Sequence, residues 1–307
     1  MILVTGGTGF IGRTLVRQLV TMGTPVRTLL RPSTKSPALP VGVPVEVAVC
    51  SLLDERGLRA AMKGVDVVFH LASAERSSTG ADLARVDVEG TQMVAQAAAQ
   101  AGIRRIFFLS HIGADRASAY PVLRAKALAE AAIQRSGVPY TIFRSGPVFG
   151  EGDALFSGLV RLMRMLPFVF LMPGEGKNLV QPIWVEDLAT CLLLSLENDF
   201  HQNQTHAIGG AEYLSLREVI KIIEQATGMR RIPVEVFPAT VRAIALWYEQ
   251  MFHRFPLSVF WLDYLAADRT CPVDTIPRMF GLLPARLGPQ SQYLKFVAHP
   301  NKQRNQQ

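Results

Sequence analysis

Ile2-Leu3-Val4-Thr5-Gly6-Gly7-Thr8-Gly9-Phe10-Ile11-Gly12 sets an aliphatic run, spaced glycines and the first turn of an apolar-periodic segment end to end. That order predicts a strand, a tight turn and the N-terminus of a helix. Gly6 permits the turn, Gly9 lets backbone approach a pyrophosphate, and Gly12 lets helix pack closely on strand. The first N–H groups of a helix have no intrahelical acceptor and lie at its positive dipole end, so this junction is suited to phosphate. Thr8, Phe10, Ile11 and Arg13 belong to the same expected binding turn. A glycine pattern alone is weak; its place between strand and helix makes it point to a dinucleotide.

The choice of dinucleotide is read further along. Domains that select NAD(H) place an acidic residue about 20 positions on, against the ribose 2′-hydroxyl. Here no Asp or Glu occurs between Gly12 and Glu46, and the second strand-like run ends in Leu30-Arg31. A guanidinium offers a fixed fork of donors to a 2′-phosphate. NADP(H) is therefore expected, with NAD(H) as the alternative.

Outward from this turn, strand-like runs at Ile2–Thr5, Val26–Leu30, Val45–Val49, Val67–His70, Ile106–Ser110 and Tyr140–Phe143 alternate with helical patterns. The helical patterns cover 11–22, 55–62, 82–101 and 121–136, and Gly23, Gly64, Gly102 and Gly137 stand where helices stop. Several runs are apolar on both faces, as in a parallel sheet covered by helices. The expected fold is α/β, a doubly wound parallel Rossmann sheet with a smaller α/β C-terminal domain. Residues 1–150 form the expected NAD(P)-binding domain, with 183–200 returning to it, and 151–307 the smaller substrate or partner domain. Leu214–Gly228 reads as a helix capped by Ser215 ahead of Glu218.

Composition narrows the classes. Of 307 residues, 49% are hydrophobic and 19% charged, which describes a globular chain. The net charge of +7 suits an anionic ligand or surface, yet no stripe alternates Lys/Arg with aromatics, so no nucleic-acid partner is expected. Cys50, Cys191 and Cys271 are far apart, which predicts neither a disulfide framework nor a metal site and fits a reducing cytoplasm. No secretion signal is expected at Met1. The longest apolar run, Leu159–Met172, is broken by Arg161, Arg164 and Pro167.

The glycine turn has further company: His70-Leu71-Ala72, Asp87-Val88-Glu89-Gly90-Thr91, Leu109-Ser110-His111-Ile112-Gly113-Ala114, Arg124-Ala125-Lys126 with Glu130, Tyr140 to Pro147, Phe149-Gly150, and Trp184-Val185-Glu186-Asp187-Leu188-Ala189. Together these resemble the extended and atypical short-chain dehydrogenases, the NAD-dependent epimerase/dehydratase superfamily. Leu123-Arg124-Ala125-Lys126 and the stretch Trp261 to Arg269 resemble most the NmrA-like branch. That branch includes the Rossmann-type accessory subunit of respiratory complex I and assembly factors of photosystem II. Several of its members hold the nucleotide without dehydrogenase activity.

The resemblance implies that Leu71, Ala72, Ser51 and Leu52 line the nucleotide site, with Ser51 where relatives often carry an Asp against the adenine. It implies Lys126 and Ser110 as catalytic candidates, Lys126 also holding the ribose. Active relatives use Tyr-x-x-x-Lys to give a proton, but four residues before Lys126 stands Val122. Tyr120 is two residues off, about 200° around a helix, and Pro121 suits the first helical position, leaving Tyr120 outside. A rearranged helix start would bring Tyr120 into the site. His111 is the other candidate proton donor, or else a neutral histidine bonded to a loop carbonyl.

Two functions follow. One is a holder of NADP(H), an accessory, assembly or redox-sensing subunit of a membrane electron-transfer complex, cytoplasmic and peripheral to an inner or photosynthetic membrane. The other is an NADPH-dependent reductase or epimerase-like oxidoreductase acting on a small molecule. For docking on a membrane surface or complex, the aromatic-rich stretch Pro238 to Leu265 is the candidate: Val241 to Trp247 and Phe252-His253-Arg254-Phe255 mix apolar bulk with cations.

Overall fold

The computed structural model describes residues 1–33, 42–75, 80–252 and 257–299, with backbone alone at 80 and 249–252. Seven strands form one sheet: β1 (Ile2–Thr5), β2 (Val26–Leu30), β3 (Glu46–Val49), β4 (Val67–His70), β5 (Arg105–His111), β6 (Tyr140–Ser145) and β7 (Gln204–Ile208). Their order is β7-β6-β5-β4-β1-β2-β3. The pairs from β3 through β6 are parallel, with Ile2 opposite both Val26 and Val67. The chain order reverses at β1, and ligands of open α/β sheets bind at the carboxyl ends of strands beside such a reversal. This is the doubly wound Rossmann fold that the alternating pattern predicts.

The sheet's apolar residues explain its position. Leu3, Val68, Ile106, Phe108 and Ile142 are buried with Ala95 and Ala98 of the helix Thr91–Gln100 and with Ala129 and Ile133 of the helix Pro121–Arg135. Small alanines let these helices lie close on the sheet, which is why the core is dense without large helical side chains. The helix expected over 82–101 is not uniform. It begins at Gly80–Asp82, widens to a π-helix over Leu83–Gly90, and becomes regular from Thr91. Hydrophobic spacing could not reveal this, because a π segment changes register without changing residue type.

Met1–Ser145 with Val185–Ala207 form one compact unit; Gly146–Trp184 with Ile208–Gln307 form a second. In the first, the helix Val185–Leu194 returns to the helix Phe10–Thr21, where Gln18 Nε2 donates to Glu186 Oε2 at 2.8 Å and Arg17 pairs with the same carboxylate. In the second, the strands Val169–Pro173 and Ile232–Val236 pair in parallel. The helix Leu216–Thr227 starts at a capping box of Ser215 and Glu218, as their spacing predicts, and stops at Gly228 with φ +76°. Among the described residues no helix is long and apolar enough to cross a membrane.

Within Pro238 to Leu265, Trp247 is 59% exposed whereas Phe260, Trp261 and Tyr264 are buried. The aromatic-rich stretch thus divides into a half-exposed helix, Pro238–Phe252, and an ordinary core helix, Val259–Tyr264. The Phe252 side chain and residues His253, Arg254 and Phe255 lie outside the described residues.

Candidate dinucleotide site

The turn after β1 is held by its own backbone. Gly6 has φ +73°, and a Cβ there would lie 2.7 Å from Leu71 and Ala72 backbone atoms. A Cβ on Gly12 would lie 2.1 Å from the Gly6 carbonyl oxygen. Gly12 is therefore required by the turn itself, in addition to any packing of helix on strand. Gly9 differs, having extended backbone (φ −73°, ψ 172°) and, for an added Cβ, one neighbour within 4 Å, the Gly6 carbonyl at 3.1 Å. Any larger group at Gly9 would project into the space beyond the turn.

The helix Phe10–Thr21 has no side-chain cap and no acidic residue in its first turn. Its first intrahelical donor is the Arg13 N–H, bonded to the Gly9 carbonyl at 3.0 Å. The N–H groups of Phe10, Ile11 and Gly12 donate to no acceptor among the described residues. Three unpaired donors at a positive dipole end form an anion site.

Beside it opens a cleft of about 670 Å³. Its wall brings together Gly6, Thr8, Gly9, Arg31, Ser51, Leu52, Leu71 and Ala72 of the expected site. Phe10, Ile11, Gly12, Arg13 and Lys126 are not on that wall. Unforeseen members include Thr5, Ser73, Ala74, Asp82, Arg85 and Val86. Arg31 and Arg85 are exposed, and neither is in an ion pair among the described residues. A cleft of this size, with an anion site at one end and two cations on its wall, fits a dinucleotide.

Below the cleft the carboxyl ends of β1 and β4 are locked together. His70 Nδ1 meets Thr5 Oγ1 at 2.6 Å and its Nε2 meets Thr91 Oγ1 at 2.9 Å. Burial, reinforced by the Lys126 charge, pushes the His70 pKa down to about 4, so the ring is neutral and serves as a strut. Lys126 is likewise buried. Its Nζ lies 3.1 Å from Asp87 Oδ1, and Asp87 also accepts from Ser73 Oγ at 2.7 Å and the Ala74 N–H at 2.8 Å. Asp87 belongs to the π-helical segment.

Val122 is buried in the helix Pro121–Arg135 at the place where active relatives carry tyrosine. Pro121 occupies the helix start and Tyr120 is the N-cap, with φ −88° and ψ 118°. The helix start is therefore regular, and the Tyr120 hydroxyl makes no hydrogen bond among the described residues. Ser110, the penultimate residue of β5, has its buried Oγ without a hydrogen-bond partner among the described residues. His111 Nε2 meets the Glu75 carboxylate at 2.8 Å. No sequence pattern announces Glu75, which stands in a loop. Asp87 did leave a trace, as the first residue of the Asp87-Val88-Glu89-Gly90-Thr91 motif.

The comparisons agree with this geometry. A family described as NAD(P)H-binding matches residues 6–154. The chain is 29% identical over 229 residues to "NADH dehydrogenase [ubiquinone] 1 alpha subcomplex subunit 9, mitochondrial" of Arabidopsis thaliana, covering 72% of this chain and 56% of that protein. It is 30% identical over 230 residues to "(4-alkanoyl-5-oxo-2,5-dihydrofuran-3-yl)methyl phosphate reductase" of Streptomyces griseus, covering 74% of each. A solved short-chain dehydrogenase/reductase superfamily protein from Agrobacterium tumefaciens, with bound NAD, has the same fold at TM-score 0.71 and 21% identity, over 99% of this chain and 98% of that one. The chain belongs to the NAD(P)H-binding family that includes the Streptomyces griseus reductase, and it has the fold of the short-chain dehydrogenases.

Proposed function

We propose that this protein holds NADP(H) without rapid hydride transfer, as an accessory, assembly or redox-sensing subunit docked on a membrane electron-transfer complex. The observation that carries the reading is the buried Lys126–Asp87 pair at 3.1 Å beside a buried Val122. In a Tyr-x-x-x-Lys site the lysine's positive charge lowers the phenol pKa. Here a carboxylate offsets that charge and no phenol is in place. Arg31 and Arg85 on the cleft wall support the 2′-phosphorylated nucleotide. The likeness to a respiratory complex subunit and the exposed Trp247 support docking. A nucleotide bound only to the folded state stabilises it by mass action, so it serves without reacting.

The test is purification from the host's membranes under mild conditions, with identification of the nucleotide and of the proteins retained. NADP(H) with subunits of one complex is the expected result. Recovery of NAD(H), or of no partner, overturns the corresponding part.

The His111–Glu75 contact favours a second reading, an NADPH-dependent reductase acting on a small molecule. In it His111, oriented by Glu75, holds the proton for a carbonyl placed near Ser110. The similarity to a reductase is in keeping with it. NADPH turnover with small carbonyl compounds that disappears in His111→Gln and survives in Tyr120→Phe would select this reading over the first.

A further inference from the structure

The second unit contains a pocket of about 180 Å³ that no nucleotide chemistry requires. It is lined by Leu159 and Leu162 of the helix Leu155–Met165, Leu166 just past its end, Phe170, Val241 and Leu257, among others. Tyr248 is the one lining residue with a polar side-chain group. Interiors are normally packed to the density of organic crystals, so a native void of this size calls for an occupant. Water is a poor candidate, since it needs two to four polar partners, whereas an apolar cavity of about 150 Å³ stays dry and accepts benzene. The lining selects a hydrocarbon group.

The pocket's surroundings say which hydrocarbon. Met165 and Ile244 both line it and are each 47% exposed, so its walls continue to the surface. Trp247, three residues beyond Ile244 on the same helix, is exposed as well. Arg161 stands three residues before Arg164 and four before Met165, so it neighbours both on the helix surface. Both arginines are exposed. Apolar residues at a pocket mouth, an exposed Trp and flanking cations are the arrangement of a surface that meets an anionic bilayer.

We infer that this pocket takes part of one acyl chain of an anionic membrane lipid, with Arg161 and Arg164 facing its headgroup. The inference adds a ligand to the docking surface and relies on that reading only for access to a bilayer. NADPH affinity, measured on the same samples, keeps the two apart.

The test uses the full chain and cis-parinaric acid, a fatty acid whose fluorescence rises in apolar surroundings. Saturable one-to-one binding is expected, displaced more effectively by phosphatidylglycerol vesicles than by phosphatidylcholine vesicles. Leu162→Trp fills the pocket and Ile244→Trp its mouth; each displaces at least two methylenes' worth of contact, which weakens binding about tenfold or more. NADPH affinity stays unchanged in both. Should Leu162→Trp fail to fold, the exposed Ile244→Trp carries the test. Binding that does not saturate, or persists unchanged in the folded variants, overturns the pocket. Equal displacement by the two kinds of vesicle overturns the anionic lipid as its source.

Discussion

A Cβ on Gly12 would lie 2.1 Å from a carbonyl oxygen, whereas one on Gly9 has a single neighbour, at 3.1 Å. The two glycines therefore fail differently. Gly12→Ala is expected to cost about 3 kcal/mol through overpacking against backbone, read as a fall in the urea midpoint. Gly9→Asp should fold normally, because Gly9 already has the extended conformation of an N-cap and aspartate is a preferred cap. Its carboxylate would then accept from the amides offered to phosphate and repel that phosphate. Calorimetry should show dinucleotide binding lost with the thermal midpoint kept or raised; retained binding would refute the assignment of the anion site. Arg31→Asp removes one guanidinium and adds a charge of the wrong sign. It is expected to narrow the preference for NADPH over NADH by about tenfold or more, the worth of a charge-assisted hydrogen bond. Unchanged affinities would mean that Arg31 does not meet the 2′-phosphate.

Between the π-helical segment and the helix Pro121–Arg135, Asp87 and Lys126 form a buried ion pair, side-chain exposures 1% and 4%. Such pairs add little over apolar packing, but removing one partner leaves a buried charge, a loss of about 3–5 kcal/mol. Asp87→Ala should show that loss in chemical denaturation, and it also orphans the Ser73 hydroxyl and the Ala74 N–H. Asp87→Met with Lys126→Met should recover much of it. If the double variant is no more stable than Asp87→Ala, the pair is not what couples these two elements.

Across the whole molecule, buried histidines set the acid limit. The unfolded chain protonates His70 near 6.5, but the fold delays this to about 4, so the native state binds fewer protons. Its contribution is complete above 6.5 and is lost as pH falls from 6.5 through about 4, on the order of 3 kcal/mol. His206 acts in the same direction, its pKa lowered to about 4 by burial and then by His201 and Arg105. Asp153 opposes them: burial raises its carboxyl to about 6, so its contribution is present at low pH and is lost as pH rises through 6. Urea midpoints should therefore fall between pH 7 and pH 5, and His70→Asn should flatten that slope even though it lowers stability at neutral pH. A slope unaltered by His70→Asn would assign the acid sensitivity elsewhere.

The sheet, its helices and the phosphate turn were legible from residue order, because burial on both faces of a parallel strand and the freedom of glycine leave one-dimensional marks. Val122 in place of tyrosine and Pro121 at a helix start were also legible, since both are local facts. Lys126 was legible as a candidate but not as a partner of Asp87, 39 positions away, because that contact depends on the π register and on how two helices cross the sheet. Nor could the order of residues reveal that His111 meets Glu75, or that Arg85 shares a cleft with Arg31. Sequence decides what repeats along the chain or acts within a few residues. Pairing of charges, the pKa values that burial shifts and the shape of a cavity arise only when distant segments share the same low-dielectric space, and these the tertiary structure decided.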